Sequence, residues 1–188
     1  DRDFDPHSPH TPNQGFAGFC WSQWGWLLSS QFFPEKLPKD VEGDLVLKLI
    51  DRWHFIPVLA LAGISYGIGG MEYLGAFFLS TTLLFHGVQT TNSLCHLVGN
   101  QPFITDDCSR NNGFVAFLTL GEGWHNLHHA FQASSRQGIT IRGGKVIYLV
   151  DPTFRFIKLL ECFNLASKLK VPSEKNLLMR AQAETYSN

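Results

Sequence analysis

The 188-residue sequence predicts an all-α fold: a membrane helical hairpin, followed by a helical region that carries a histidine-rich metal site. Three observations predict it. Two apolar stretches, residues 55–70 and 73–85, lack any charge and stand either side of the short break Gly69-Gly70-Met71-Glu72. Three imidazoles, His125, His128 and His129, fall within five residues. Charged residues make up only 16% of the chain, against about 25% in an average soluble domain.

The elements follow in order. Residues 1–20 are rich in Pro, Asn, Gly and His and read as loop. Residues 21–33 hold Trp21, Trp24, Trp26, Phe32 and Phe33. They read as an interfacial segment, because Trp favours the headgroup level; an ordinary aromatic core is the other reading. Residues 34–43 form a polar turn. Residues 44–55 place Leu45, Leu49, Ile50 and Trp53 at helical spacing, with Asp44, Lys48, Asp51 and Arg52 elsewhere, so an amphipathic helix is expected.

A helix needs about 20 residues to cross the hydrocarbon. Each apolar stretch reaches that length with its flanks, so residues 54–90 read as a transmembrane hairpin with its tip at 69–72. The second helix continues past the membrane and carries Asn92 and His96 back to the side where the first began. A soluble core would have to enclose two uncharged helices in a small protein.

Residues 99–113 are polar and read as a loop, with Asp106 and Asp107 read first as solvated or helix-capping acids and second as partners of metal ligands. Residues 114–131 read as one helix bearing the histidines. Residues 133–144 are polar with a Gly pair, and 145–150 read as a short strand or extended segment. Asp151 and Pro152 suit an N-cap and a first helical position, opening a helix to about Leu169. Residues 172–188 are polar and expected to fray.

Composition narrows function. The net charge is −1 without a Lys/Arg run, which excludes nucleic acid as a partner. Gly143-Gly144-Lys145 is too short for a phosphate loop. Cys20, Cys95, Cys108 and Cys162 are scattered with no CxxC pair, so they read as reduced thiols on the cytosolic side.

The histidines carry the chemistry. Positions i, i+3 and i+4 share one helix face, so His125, His128 and His129 can aim at one point. Neutral imidazole ligates iron and zinc alike. Buried rings without a polar partner would be costly, and apolar residues on both sides argue against a surface patch. Asn92 and His96 stand one turn apart upstream. The HExxH of metalloproteases is absent, and Glu122 precedes rather than separates the histidines.

Asn92-Ser93-Leu94-Cys95-His96, followed by Gly121-Glu122-Gly123-Trp124-His125-Asn126-Leu127-His128-His129-Ala130-Phe131, resembles the membrane-bound fatty acyl desaturases of the delta-9 type. The second block is similar to their third histidine box and the first to their NSxxH element. Asp5-Pro6-His7 resembles the tail of their second box. Residues 21–28 resemble the segment after it, with Gln23 where His is usual. The resemblance runs from Asp1 to about Leu165. Two further boxes, HxxxxH and HxxHH, would lie before Asp5, and His7, His10, His54 and His86 form neither. The chain is therefore expected to be the C-terminal portion of one desaturase domain, residues 1–188, inactive by itself, with 91–170 as the cytosolic metal-binding and cap region.

What the resemblance implies is an O2-dependent oxidoreductase that places a cis double bond in a fatty acyl chain at a di-iron centre. His96, His125, His128 and His129 would be ligands, with Asn92 acting through a water. Zinc is a possible substitute, because imidazole serves it equally. Glu122 and Asn126 are the nearest candidates to fix ring tautomers, while Cys95 reads as packing. The acyl carrier is open between lipid, CoA and acyl carrier protein: Ser29-Ser30-Gln31 offers no base for CoA phosphates. No HPGG motif of a fused cytochrome b5 occurs, so electrons would come from a separate ferredoxin or cytochrome b5. Membrane lipid is the remaining partner. The alternatives are a histidine-box hydroxylase and a non-catalytic membrane metal-binding protein.

Overall fold

The computed structural model describes residues 7–10, 14–29 and 42–182. The expectations for Asp5-Pro6, for residues 30–33 of the aromatic segment, for most of the turn at 34–43 and for the tail at 183–188 lie outside the described residues. The chain divides into two compact units, residues 29–86 and residues 1–28 with 87–188.

In the first of these, α2 spans Leu45–Arg52. Asp44 caps it, Oδ1 accepting from the Val46 and Leu47 N–H groups at 2.8 and 3.2 Å. The long helix α3, Phe55–Leu97, begins in this unit. Its backbone leaves helical geometry only at Gly69 (φ −144°, ψ 23°) and Gly70 (φ 61°, ψ −146°). Gly70 occupies a region of φ/ψ space essentially restricted to glycine, and a Cβ on Gly69 would collide with the Tyr73 ring. The break in helical geometry falls within residues 69–72. α3 is long and apolar enough to cross a membrane, and only 6% of its most apolar stretch is buried by protein. Ser65, Ser80 and Thr81 return their hydroxyls to carbonyls one turn back, at 2.8–3.0 Å. No hydroxyl of these three is left to seek water, as an apolar surround requires.

The other unit contains the remaining elements: α1 (Gly15–Gln23), a 3-10 turn (Gly25–Leu28), α4 (Gly113–Leu118), α5 (His125–Ala130), β1 (Ile139–Arg142), β2 (Lys145–Tyr148), α6 (Pro152–Cys162) and α7 (Glu174–Met179). Its core joins Phe103, Leu127, Ala130, Ile139, Ile141, Leu177 and Ala181, with Phe131, Val146 and Leu178 packed against them.

Five expectations are corrected here. Residues 15–20 are helical rather than loop. The described residues are not all-α: β1 and β2 form an antiparallel hairpin, in register from Ile139 opposite Tyr148 to Arg142 opposite Lys145. Its turn uses Gly143 and Gly144, both at positive φ, which two-residue hairpin turns require. The single helix expected over 114–131 is two. Leu120 (φ 57°) and Gly121 (φ 128°) turn the chain, and Gly123 lies so close to α4 that a Cβ would collide with the backbone of Val115 and Ala116. The helix opened by Asp151 ends at Cys162, not Leu169, because Asn164 takes a left-handed conformation (φ 57°) and closes it. Residues 174–179 form α7 instead of fraying, since Ser173 caps them and Leu177 is fully buried in the core.

Asp151 behaves as expected and does more. Oδ1 accepts from the Phe154 N–H at 2.9 Å, capping α6. Oδ2 accepts from the Gln137 and Gly138 N–H groups at 2.7 and 2.8 Å, tying the start of the hairpin to that helix.

Candidate metal centre

The C-terminal turn of α3 brings His96, and α5 brings His125 and His129. Three links set the two elements against each other. The Arg110 N–H donates to the Cys95 carbonyl at 2.6 Å, and Asn100 and Asn111 exchange backbone hydrogen bonds at 3.1 and 2.7 Å. Asn111 Oδ1 then accepts from the Asn126 N–H at 2.9 Å, satisfying a free donor at the start of α5. Further back along α3, the buried Gln23 amide donates to Ser93 Oγ at 2.8 Å and to Thr90 Oγ1 at 3.3 Å. His10 Nε2 stands 3.0 Å from the His96 carbonyl. Gln23 thus tethers the helix that carries His96.

His125 Nε2 lies 3.1 Å from His96 Nε2 and 2.9 Å from His129 Nε2. One nitrogen from each of the three rings falls within 4.8 Å of the others. His96 and His125 are buried and His129 is half-buried. Burial first, then repulsion from His129, His96 and His128, pushes the His125 imidazole down to about 2. It is neutral at any physiological pH, with a lone pair to offer.

His128 and Asn92 lie outside this triad. The His128 ring stacks 5.9 Å from His125 and reaches solvent, with Nδ1 3.5 Å from the Gln137 amide. The Asn92 amide donates to Gln89 Oε1 at 3.3 Å. Glu122 is exposed and makes no hydrogen bond to a triad ring.

Two residues act differently from their sequence reading. Asp107, read as a loop acid, puts Oδ2 2.5 Å from His129 Nδ1. Burial alone would raise its carboxyl; hydrogen bonds from Ser109 and the attraction of His129 outweigh this and hold it well below the usual carboxylate range. Asn126 faces away from the rings. Its Oδ1 accepts from the Phe103 N–H at 2.8 Å and its Nδ2 donates to the Phe103 carbonyl at 3.2 Å, so it clamps the 99–113 loop. The one sequence sign of Asp107's role is Asp-Cys-Ser, in which Oδ1 accepts from the Ser109 N–H at 2.8 Å, a turn that fixes the carboxylate.

The donor set fits a metal. Three imidazole nitrogens converge, at least one of them held neutral, and a carboxylate sits behind one ring as it does at many metal-bound histidines.

Residues 1–137 match a family model described as fatty acid desaturase. Among curated relatives, an acyl-CoA C20 Delta5-desaturase of Anemone leveillei is 39% identical over 93% of this chain and 54% of its own length. A palmitoyl-monogalactosyldiacylglycerol delta-7 desaturase of Arabidopsis thaliana is 32% identical over 93% and 45%. Delta-9 acyl-lipid desaturase 1 of the same plant is 31% identical over 93% and 55%. The chain spans about half the length of the curated relatives it matches.

Proposed function

We propose that this chain, which belongs to the fatty acid desaturase family, supplies part of the iron centre of an O2-dependent fatty acyl desaturase. The observation that carries the proposal is the convergence of His96, His125 and His129 on one point at the end of an apolar helix. Iron is preferred to zinc because removing hydrogen from an unactivated methylene is redox chemistry, which zinc does not perform. Bound iron supplies that oxidation with O2 and two electrons.

The protein's own contribution is to hold and orient. His96, His125 and His129 hold one ion. His128, outside that set and stacked on His125, would serve a second ion of a di-iron pair, and Asn92 would act through a water once that ion is bound. Leu127 and Ala130 bury the inner face of α5 and anchor that helix to the core. The Gly69-Gly70 break supports reading residues 54–90 as a transmembrane hairpin, with the metal side cytosolic. Residues 1–188 act as one desaturase domain, in which 54–90 span the membrane and 91–170 hold the metal.

The substrate is an acyl chain carried on lipid, CoA or acyl carrier protein, and electrons arrive from a separate ferredoxin or cytochrome b5. The third-box resemblance favours delta-9, beside relatives named for positions 5, 7 and 9. The test is lipid analysis of yeast expressing the full protein, with double bonds located by mass spectrometry of disulfide adducts. A new monoene absent from the His125→Ala strain is expected. Identical acyl profiles in both strains would overturn the reading.

A further inference from the structure

We propose that Asp107 is a positioning residue of the metal centre: its carboxylate holds the His129 ring by Nδ1 so that Nε2 faces the metal. The proposal rests on reading His129 as a ligand. A neutral imidazole carries one N–H, and which nitrogen bears it is set by the partner of the other. At 2.5 Å from Nδ1, Asp107 Oδ2 is an acceptor, so the proton belongs there and the Nε2 lone pair is left for the ion. The opposite tautomer would set a lone pair against a carboxylate and aim a proton at the site.

The carboxylate is itself fixed. Oδ1 accepts from the Ser109 N–H at 2.8 Å. The Asp107 carbonyl accepts from Gln101 Nε2 at 3.0 Å. Asn126 Nδ2 reaches Thr105 Oγ1 and Ser109 Oγ at 3.5 Å, so the loop that carries Asp107 is fastened to the helix that carries His129. The Asp107 side chain is only 15% exposed, which keeps water from replacing it. The neighbouring ring shows the contrast: His128 Nδ1 has only a neutral amide, at 3.5 Å. A carboxylate behind a ligating imidazole raises its basicity, and removing such a partner typically lowers metal affinity about 10–100-fold.

The experiment is iron retention. The full protein, purified in detergent and loaded with iron(II), is challenged with a colorimetric iron(II) chelator, and the release rate is measured. Asp107→Ala is expected to release iron about 10–100-fold faster, with Asp107→Asn between it and the parent. In a His129→Ala background, where release is already fast, Asp107→Ala should add nothing, because its effect passes through that ring. Parent-like release from both Asp107 variants would overturn the proposal. So would an undiminished effect of Asp107→Ala in the His129→Ala background, which would make Asp107 a loop support. If Asp107→Ala fails to fold, the near-isosteric Asp107→Asn carries the test. Parent-like retention by His129→Ala is a separate result: it would remove the ligand reading itself, and the proposal with it.

Discussion

Replacing Asn126 should be among the most damaging single changes outside the proposed metal ligands. Its primary amide stands in for a neighbouring strand. Phe103 is fully buried, and its N–H and C=O both face Asn126, at 2.8 and 3.2 Å. The flanking groups pair elsewhere: the Ile104 N–H with the Arg180 carbonyl at 2.8 Å, and the Pro102 carbonyl with the Gln182 N–H at 2.9 Å. Asn126→Leu keeps roughly the volume but leaves two buried backbone groups unpaired. At about 1–3 kcal/mol each, the loss is about 2–6 kcal/mol. Asn126→Asp retains the acceptor for the Phe103 N–H and sets a second oxygen against the Phe103 carbonyl, so it should cost nearly as much. For a unit of this size, 1 kcal/mol moves the melting midpoint by about 2–4 °C, so a drop on the order of 10 °C is expected. The assay is thermal unfolding of the detergent-purified protein by tryptophan fluorescence, with Ser109→Ala as comparison because its contact with Asn126 is only 3.5 Å. A midpoint for Asn126→Asp within about 2 °C of the parent, or a drop no larger than that of Ser109→Ala, would refute the strand-mimic argument.

Three further outcomes are expected. His96→Ala, His125→Ala and His129→Ala should each lower bound iron per chain in the purified protein, read by elemental analysis, whereas His54→Ala, exposed on the other unit, should leave it unchanged. Gly69→Ala should lower the thermal midpoint because its methyl meets the Tyr73 ring; the loss should shrink in a Tyr73→Ala background, while Gly70→Ala, strained by its backbone alone at about 1–3 kcal/mol, should not be rescued. His125 is depressed from 6.5 in the unfolded chain to about 2 in the folded one. Its contribution is therefore complete above pH 6.5 and falls as pH drops below it, at up to about 1.4 kcal/mol per pH unit. Metal-free protein should lose midpoint between pH 7 and 5, and His125→Gln should flatten that slope.

The sequence by itself determined the elements whose cause is local. The apolar runs and the Gly-Gly break between them are legible because lipid tolerates few alternatives and because only glycine relieves a backbone at φ 61°, ψ −146°. Asp151 before Pro152, and Asp44 before an apolar period, announce helix starts through bonds that span two or three residues. The histidine spacing and its match to a family motif identified the candidate ligands. What the sequence could not show depends on contacts far apart in the chain. Read alone, residues 114–131 look like one helix; the close approach of Gly123 to Ala116 and the left turn at Leu120 split it in two. His96 and His125 stand 29 positions apart, and nothing in the sequence between them records that their rings meet at 3.1 Å. Asp107, 22 residues before His129, looks like any loop acid until the fold lays it against Nδ1. Spacing along a helix decides which residues share a face, but only the packing of that face against a loop decides which carboxylate or amide completes each ring.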